Sequence, residues 1–433
     1  MKKGILVLVG LFVLLIGLGV FFAFRKPAAI PGKTVLTFAW WGSQTRHDRT
    51  IKVIEMYEAA HPEIDIQYDY AGNEVYWAKM IVQAAANNLP DIMQQDYATL
   101  GTSDSKGLLL DLSPYVKDST LDFSETPEAF IQGGIINGRL LGVNLGNNSQ
   151  TFVLDIDAFE KAGVPLPASD WTWKDYETTC MNIHKTLNIW CMDSNLGDEQ
   201  IWSSIYLSLG EWIYNADQTG PGYTSDQPFI DFLNMQMRLQ KAGAIPGPNE
   251  ETEDNVEAGP IVSGKSAMTY IWSNQLIALW GAAGETRNFI MVPLPRAEGA
   301  VQSANYIKPS QFLSVTSGSK HPREAAEFIN FFVNSPEANA ILLGERGIPA
   351  SSTVREAIRA MVDKIQQASF DFLDMIESTA APINPPEPPG HSDLIDNVYW
   401  AQVLEPFYYE KDSAENLVPL LREKMPVILE ENK

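Results

Sequence analysis

Leu89-Pro90-Asp91-Ile92-Met93-Gln94-Gln95-Asp96 reads as a turn, a short buried strand and an acidic residue at the strand's carboxyl end. Pro90 and Asp91 punctuate, Ile92 and Met93 bury, and Asp96 emerges where open α/β sheets hold their ligands. Just upstream, residues 73–86 have a helical pattern that Asn87, Asn88 and Pro90 end. Before them, residues 64–68 alternate as a strand. Residues 45–60 form a helix with Ile51, Ile54 and Tyr57 on one face, stopped by His61-Pro62. Residues 35–40 are a strand rich in β-branched and aromatic side chains, ending at the paired Trp40 and Trp41. Strand, helix, strand, helix, strand is a βαβ progression, which predicts an α/β fold with a parallel sheet.

Downstream, Asn137-Gly138 is a strong hairpin signal. Thr151-Phe152-Val153-Leu154 opens what reads as a second sheet. Trp171 and Trp173 bracket a helix start and suit a packing staple, and residues 200–245 read as helical and aromatic. A strand follows at 312–315, and the helix after Pro322 carries Ala325, Phe328, Ile329 and Phe332 at core spacing. Residues 382–390 (PINPPEPPG) form a stiff loop ahead of a carboxyl-terminal helical segment. No repeat of 20–50 residues is present, which argues against a solenoid.

At 433 residues the chain exceeds one ordinary core, so two or three domains are expected. With 45% hydrophobic and 20% charged residues it is globular. A net charge of −23 argues against nucleic acid or an anionic membrane surface as a general partner, although one arginine or lysine can dominate a pocket. Residues 1–33 differ in kind. A basic start (Met1, Lys2, Lys3) precedes an uncharged run over 4–24, which as a helix would rise about 31 Å, enough to cross a bilayer core. Arg25 and Lys26 follow at once, ahead of a Pro/Gly spacer, and Ala28 and Ala29 make a poor cleavage site. The run favours an uncleaved signal-anchor over a cleaved signal peptide. Either one places the remainder at the extracytoplasmic face of the membrane. There, Cys180 and Cys191 are expected to pair and close a short loop, the alternative being two free thiols. No His or Cys partners stand at metal-ligand spacing, so neither metal nor cofactor is expected.

Several motifs then fall in order. Trp40-Trp41-Gly42 follows the first strand, and Leu89-Pro90-Asp91-Ile92 leads to Asp96. Asn137-Gly138 precedes Leu141-Gly142-Val143 and Trp171-Thr172-Trp173. Gly264-Lys265-Ser266-Ala267-Met268 runs on to Trp272, and Ala325-Ala326-Glu327-Phe328-Ile329 precedes Gly347-Ile348-Pro349-Ala350. Over roughly residues 34–350 this order resembles family 1 of the extracellular solute-binding proteins, carbohydrate receptors of ABC importers and distant relatives of the maltose-binding protein. The family's lipid-anchoring cysteine has no counterpart here. The resemblance implies a two-lobed periplasmic-binding-protein-like fold with chain crossovers and a ligand held between the lobes. It assigns 34–146 and 311–346 to lobe 1, and 147–310 and 347–433 to lobe 2. It also implies permease subunits as partners and lobe closure as the signal they read.

A sugar shows hydroxyls at its edges and C–H patches on its faces, so a receptor needs polar groups at the rim and aromatic plates beneath. Asp96 suits paired hydroxyls, its alternative being a helix cap. Trp41 and Trp272 suit plates, whereas Trp40 follows the strand's core phase. Asn148 falls near the first crossover, and Tyr306 and Lys308 near the second. Gln44, Arg46 and His47 open a helix beside the Trp-Trp-Gly turn, Arg46 having an exposed helix position as its alternative. Asp96 in the contact set points to a neutral sugar, a preference that Arg46 or Lys308 can reverse locally. Nucleophile-elbow, zincin, P-loop and dinucleotide motifs are absent, so no catalytic residue is assigned. Two other functions remain open: a same-fold ligand sensor reporting to a membrane signalling protein, and a surface glycosidase or lyase, against which the order of the motifs argues.

Overall fold

The computed structural model describes residues 31–250, 256–284 and 287–432. The apolar run expected to act as a signal-anchor lies outside the described residues. Among those described, no helix is long and apolar enough to cross a membrane.

Eleven strands are described: Thr34–Trp41 (β1), Ile64–Ala71 (β2), Ile92–Gln95 (β3), Ile135–Ile136 (β4), Arg139–Leu140 (β5), Val143–Asn148 (β6), Gln150–Asp155 (β7), Trp190–Met192 (β8), Ser266–Trp272 (β9), Phe289–Val292 (β10) and Lys308–Val315 (β11). Helices that matter to the site or to the cores are Gln44–Ala60 (α1), Asn73–Ala85 (α2), Tyr97–Ser105 (α3), Trp173–Leu187 (α4), Glu199–Ser208 (α5), Gln227–Ala242 (α6), Pro322–Asn334 (α7) and Ser352–Arg359 (α8).

The chain divides into two compact units. Among the described residues, the first comprises 31–126, 133–146 and 310–358, and the second 127–132, 147–250, 256–284, 287–309 and 359–432. The first contains a five-stranded sheet in the order β2-β1-β3-β11-β6, in which β1 runs parallel to β2 and β3, and β11 antiparallel to β3. Its inner strand β1 is continuously buried over Phe38–Trp41, as a parallel strand covered on both faces must be. Edge strand β2 alternates instead, turning Tyr68 and Tyr70 outward. Asp91 does more than punctuate. Its Oδ2 accepts from the Thr37 backbone N–H (2.9 Å) and hydroxyl (2.7 Å), and its Oδ1 from the Ser319 hydroxyl (2.6 Å), which ties β1 to the start of β3. Asn137 and Gly138 turn the β4–β5 hairpin with φ of 51° and 75°, the left-handed pair that an Asn-Gly turn supplies at low cost.

The second unit contains a four-stranded sheet in the order β10-β7-β9-β8. Its core gathers α4, α5, α6 and the carboxyl-terminal helical segment, with Trp171, Trp173 and Trp202 inside. Thr172 and Asp175 cap α4 reciprocally, so the two tryptophans at its start act as packing residues. Cys180 on α4 and Cys191 on β8 are joined in a disulfide with a Cα separation of 4.9 Å. A single linked peptide in non-reduced mass spectrometry is the expected outcome for the purified protein; two alkylated thiols would contradict it.

The resemblance placed the last crossing at 346/347, but the first unit keeps residues up to 358. The reason is local. The Ser352 N–H donates to the Glu125 carbonyl (2.8 Å), and Arg355 Nη1 donates to the carbonyls of Pro349 and Ala350 (3.0 Å each), so α8 stays with the first unit. The second crossing falls at 309/310 instead of 310/311, and residues 127–132 go with the second unit.

Asp193 follows β8 with its carboxyl enclosed, and burial pushes it up to about 7 against a partial offset from the Thr269 hydroxyl. The folded state therefore holds a proton there that the unfolded chain releases near pH 4. Stability attributable to this group falls as pH rises from about 4 to about 7 and stays low above. Asp193→Asn is expected to raise the melting temperature at pH 8 and to change it little at pH 4. Equal shifts at both pH values in a thermal melt would contradict this.

Candidate functional site

In the first unit, the expected residues surround the carboxyl ends of β1 and β3. Ser43 caps α1, and Gly42 before it leaves room for the Arg46 side chain, which any Cβ would strike. Arg46 is not an exposed helix residue and is not open to a ligand. Its Nε donates to both Glu345 oxygens (3.0 and 2.7 Å), and its Nη1 to Gln311 Oε1 (2.9 Å) and the Trp41 carbonyl (3.2 Å). Arg346 beside it is fully enclosed, and burial first, then the Arg46 charge, pull it down to about 9. Its Nε donates to Gln94 Oε1 (3.1 Å) and its Nη2 to the Thr50 hydroxyl (2.8 Å). Ser310 places its hydroxyl between the carbonyls of Gly146 and Arg346. Gly146 passes so close to Arg346 that a side chain there would overlap the backbone. Residues 345–347 therefore tie α1, β3, β6 and β11 of this unit together.

Trp41, expected as a sugar plate, is 6% exposed and packs against Tyr76 (5.0 Å between ring centres) and Trp77 (5.4 Å) in the first unit's core. The outward phase inferred from β1 fails because α2 covers that face as well. His47 is also interior: it accepts from Trp40 Nε1 (3.1 Å) and stacks on Tyr70, and burial lowers its pKa. Gln44 is exposed and donates to Asp48 one turn on (2.8 Å). Asp96 is the N-cap of α3. Its Oδ1 accepts from the Ala98 N–H (2.9 Å), and Thr99 returns a bond in a capping box. The Thr99 backbone N–H also donates to the Asp96 carboxylate, so this side chain is spent on the helix start. Gln94 and Gln95, unremarked in the sequence, are wholly buried and hydrogen-bonded, Gln95 to Thr99 and Ser103.

In the second unit the structure brings three expected residues together. Trp272 ends β9 half-buried, Tyr306 meets its ring edge-on at 6.3 Å, and Lys308 Nζ stands 5.2 Å from its ring centre. Tyr306 Oη donates to Gln200 Oε1 (3.2 Å), which also accepts from Gln150 Nε2 (3.3 Å). Asn305 locks the arrangement from behind, donating to Ser149 Oγ (3.0 Å) and the Gln150 carbonyl (2.7 Å). Trp212, Leu207 and Ile383 complete the apolar side of the group. Asn148 ends β6 half-buried, and its side chain makes no hydrogen bond among the described residues. Gln150, Gln200 and Trp212 were not singled out as site residues. Only Trp212 had a signal, as one of several tryptophans in an aromatic stretch; two glutamines carry none. Among the described residues, no cluster of three or more His, Cys, Asp or Glu could hold a metal ion.

Two α/β units threaded by a chain that passes repeatedly from one to the other define a two-lobed binding protein of the periplasmic type. The chain belongs to the bacterial extracellular solute-binding protein family, whose model matches residues 52–368. Members of this family work outside the cytoplasm and bind solutes. An extracellular solute-binding protein family 1 member from Alicyclobacillus acidocaldarius is 28% identical, with a TM-score of 0.80 over 93% of this chain and 100% of that one. A de novo designed cysteine esterase is 22% identical, with a TM-score of 0.79 over 93% and 99%. A periplasmic oligogalacturonide-binding protein from Yersinia enterocolitica is 21% identical, with a TM-score of 0.76 over 92% and 100%. At these identities the last two show similarity of fold alone.

Proposed function

We propose that this protein captures a sugar or oligosaccharide and delivers it, chemically unchanged, to the permease subunits of an ABC importer. The observation that carries this reading is the group around Trp272. A partly open indole is flanked by Tyr306 and Trp212 and edged by the neutral amide of half-buried Gln200, which buried Gln150 supports. Apolar plates with a polar rim fit the faces and edges of a saccharide. The Asn148 amide, which makes no hydrogen bond among the described residues, supplies a further hydroxyl partner. The Yersinia relative, named for binding an oligogalacturonide, supports the substrate class. Residues 1–33 direct the protein across the membrane and either anchor it or are removed.

A thermal-shift screen across mono- and oligosaccharides tests the reading. A ligand that binds only the folded state raises the melting temperature, and about 2.7 kcal/mol of stabilisation is expected at a hundredfold excess over Kd. No shift with any saccharide would refute it, and conversion of the sugar to products would replace it with an enzyme. Within the site, Trp272→Ala is expected to cost about 2 kcal/mol of binding, roughly thirtyfold in affinity, without unfolding the protein. Calorimetry showing unchanged affinity would move the site away from Trp272.

A further inference from the structure

We infer that the saccharide carries a carboxylate, as a uronic-acid residue does, and that Lys308 receives it. The inference rests on the receptor reading above and names the class of sugar within it.

Lys308 is exposed and sits over the ring of Trp272, the plate on which that reading places a sugar. Attraction between an ammonium and an indole face is worth about 0.5–1 kcal/mol at exposed sites, enough to bias the side chain toward the ring. Among the described residues, Lys308 has no ion-pair partner. That is notable in a chain with 54 acidic and 31 basic residues. Arg46, the other cation considered for the site, is neutralised by Glu345. The polar groups beside Trp272 carry no charge: the Tyr306 hydroxyl and the amides of Gln200 and Gln150.

Two acids stand at the start of α5, next to Gln200. Asp198 is committed as its N-cap, accepting from the Gln200 N–H at 2.7 Å, and burial pushes its carboxyl up to about 6. Glu199 lies where it disfavours ionisation of Tyr214, Tyr270 and Tyr399, and it forms no ion pair with Lys308.

A sugar settling on Trp272 strips water from the ammonium above the ring. A neutral sugar leaves that charge dehydrated and unpaired, which is costly. A carboxylate on the sugar replaces the lost water with charge-assisted hydrogen bonds. The protein's overall charge repels an acidic ligand at long range, so a local cation is what such a ligand requires. The neutral preference expected from Asp96 gives way here, because Asp96 is committed to capping α3 whereas Lys308 stands over the Trp272 ring.

The test is calorimetry on the full-length protein with uronate di- and trisaccharides and with their methyl esters, which keep the shape and remove the charge. The acids are expected to bind at least about tenfold more tightly than the esters. Lys308→Met keeps the unbranched stem over Trp272 and should abolish that preference, whereas Lys308→Arg should preserve it. Thermal melts establish that each variant is folded. Esters binding as tightly as acids would overturn the inference. Binding of neutral oligosaccharides with none of the uronates would overturn it while leaving the receptor reading in place. A folded protein that binds no saccharide, acidic or neutral, would overturn both.

Discussion

Replacing Glu345 with alanine is expected to destabilise the protein by about 3 kcal/mol, at the low end of what breaking a buried ion pair costs. Among the described residues, Glu345 is the carboxylate ion-paired with Arg46, and it also lies 3.8 Å from Arg346 Nη1. All three side chains are largely enclosed, at 12%, 15% and 4% exposure. Without the carboxylate, two guanidinium groups face each other in a partly dry site. Arg346 is already pulled down to about 9 with Glu345 present. The loss should appear as a fall in melting temperature of about 6–12 °C for a domain of this size. Glu345→Gln keeps an acceptor for Arg46 and should lose less. A melt of Glu345→Ala that matches the parent would mean that the two arginines find water or other acceptors, and that residues 345–347 do not tie the unit together.

The second large effect is expected at Trp41. Trp41→Ala should cost about 3–5 kcal/mol of folding stability, the range for removing a large aromatic side chain from a core. The ring fills the space between β1 and α2 against Tyr76 and Trp77, and the flexible side chains of the same cluster, Met80 and Met93, are too small to refill it. Chemical denaturation should show a lower midpoint with an unchanged slope. Trp272→Ala should behave the opposite way, with affinity lost and stability largely kept. Trp41→Ala that unfolds like the parent but no longer binds sugar would restore Trp41 as a ligand plate.

These two residues also show where reading the sequence stops. Trp41 was assigned outward because strand residues alternate, and Trp40 held the inward phase. Alternation predicts burial only when one face of the sheet is open. β1 is a central strand with helices on both sides, so both tryptophans are interior. Arg46 was read as a cleft or surface residue because its partner, Glu345, lies 299 positions away. No local pattern encodes a contact at that separation. Asp96 follows the end of β3 as the sequence predicts, and of its two readings the structure shows the helix cap, at the start of α3.

Local and periodic signals were enough for the order of strands and helices over residues 34–95, the Asn137-Gly138 turn, the helix start at Trp171–Trp173 and the core face of α7. Each depends on residues within a few positions of one another, whose conformational preferences act before any tertiary contact forms. The sequence also determined the family, through motifs whose order survives although each is weak. Only the tertiary structure decided which candidate side chains are enclosed or held by other parts of the chain. It enclosed Trp41, His47 and Arg46, committed Asp96 to a helix cap, and brought Trp272, Tyr306 and Lys308 together with Gln150, Gln200 and Trp212. Whether a polar or aromatic group is spent inside the protein or left for a ligand depends on what distant segments pack against it. That is a property of the folded chain and not of any stretch of it.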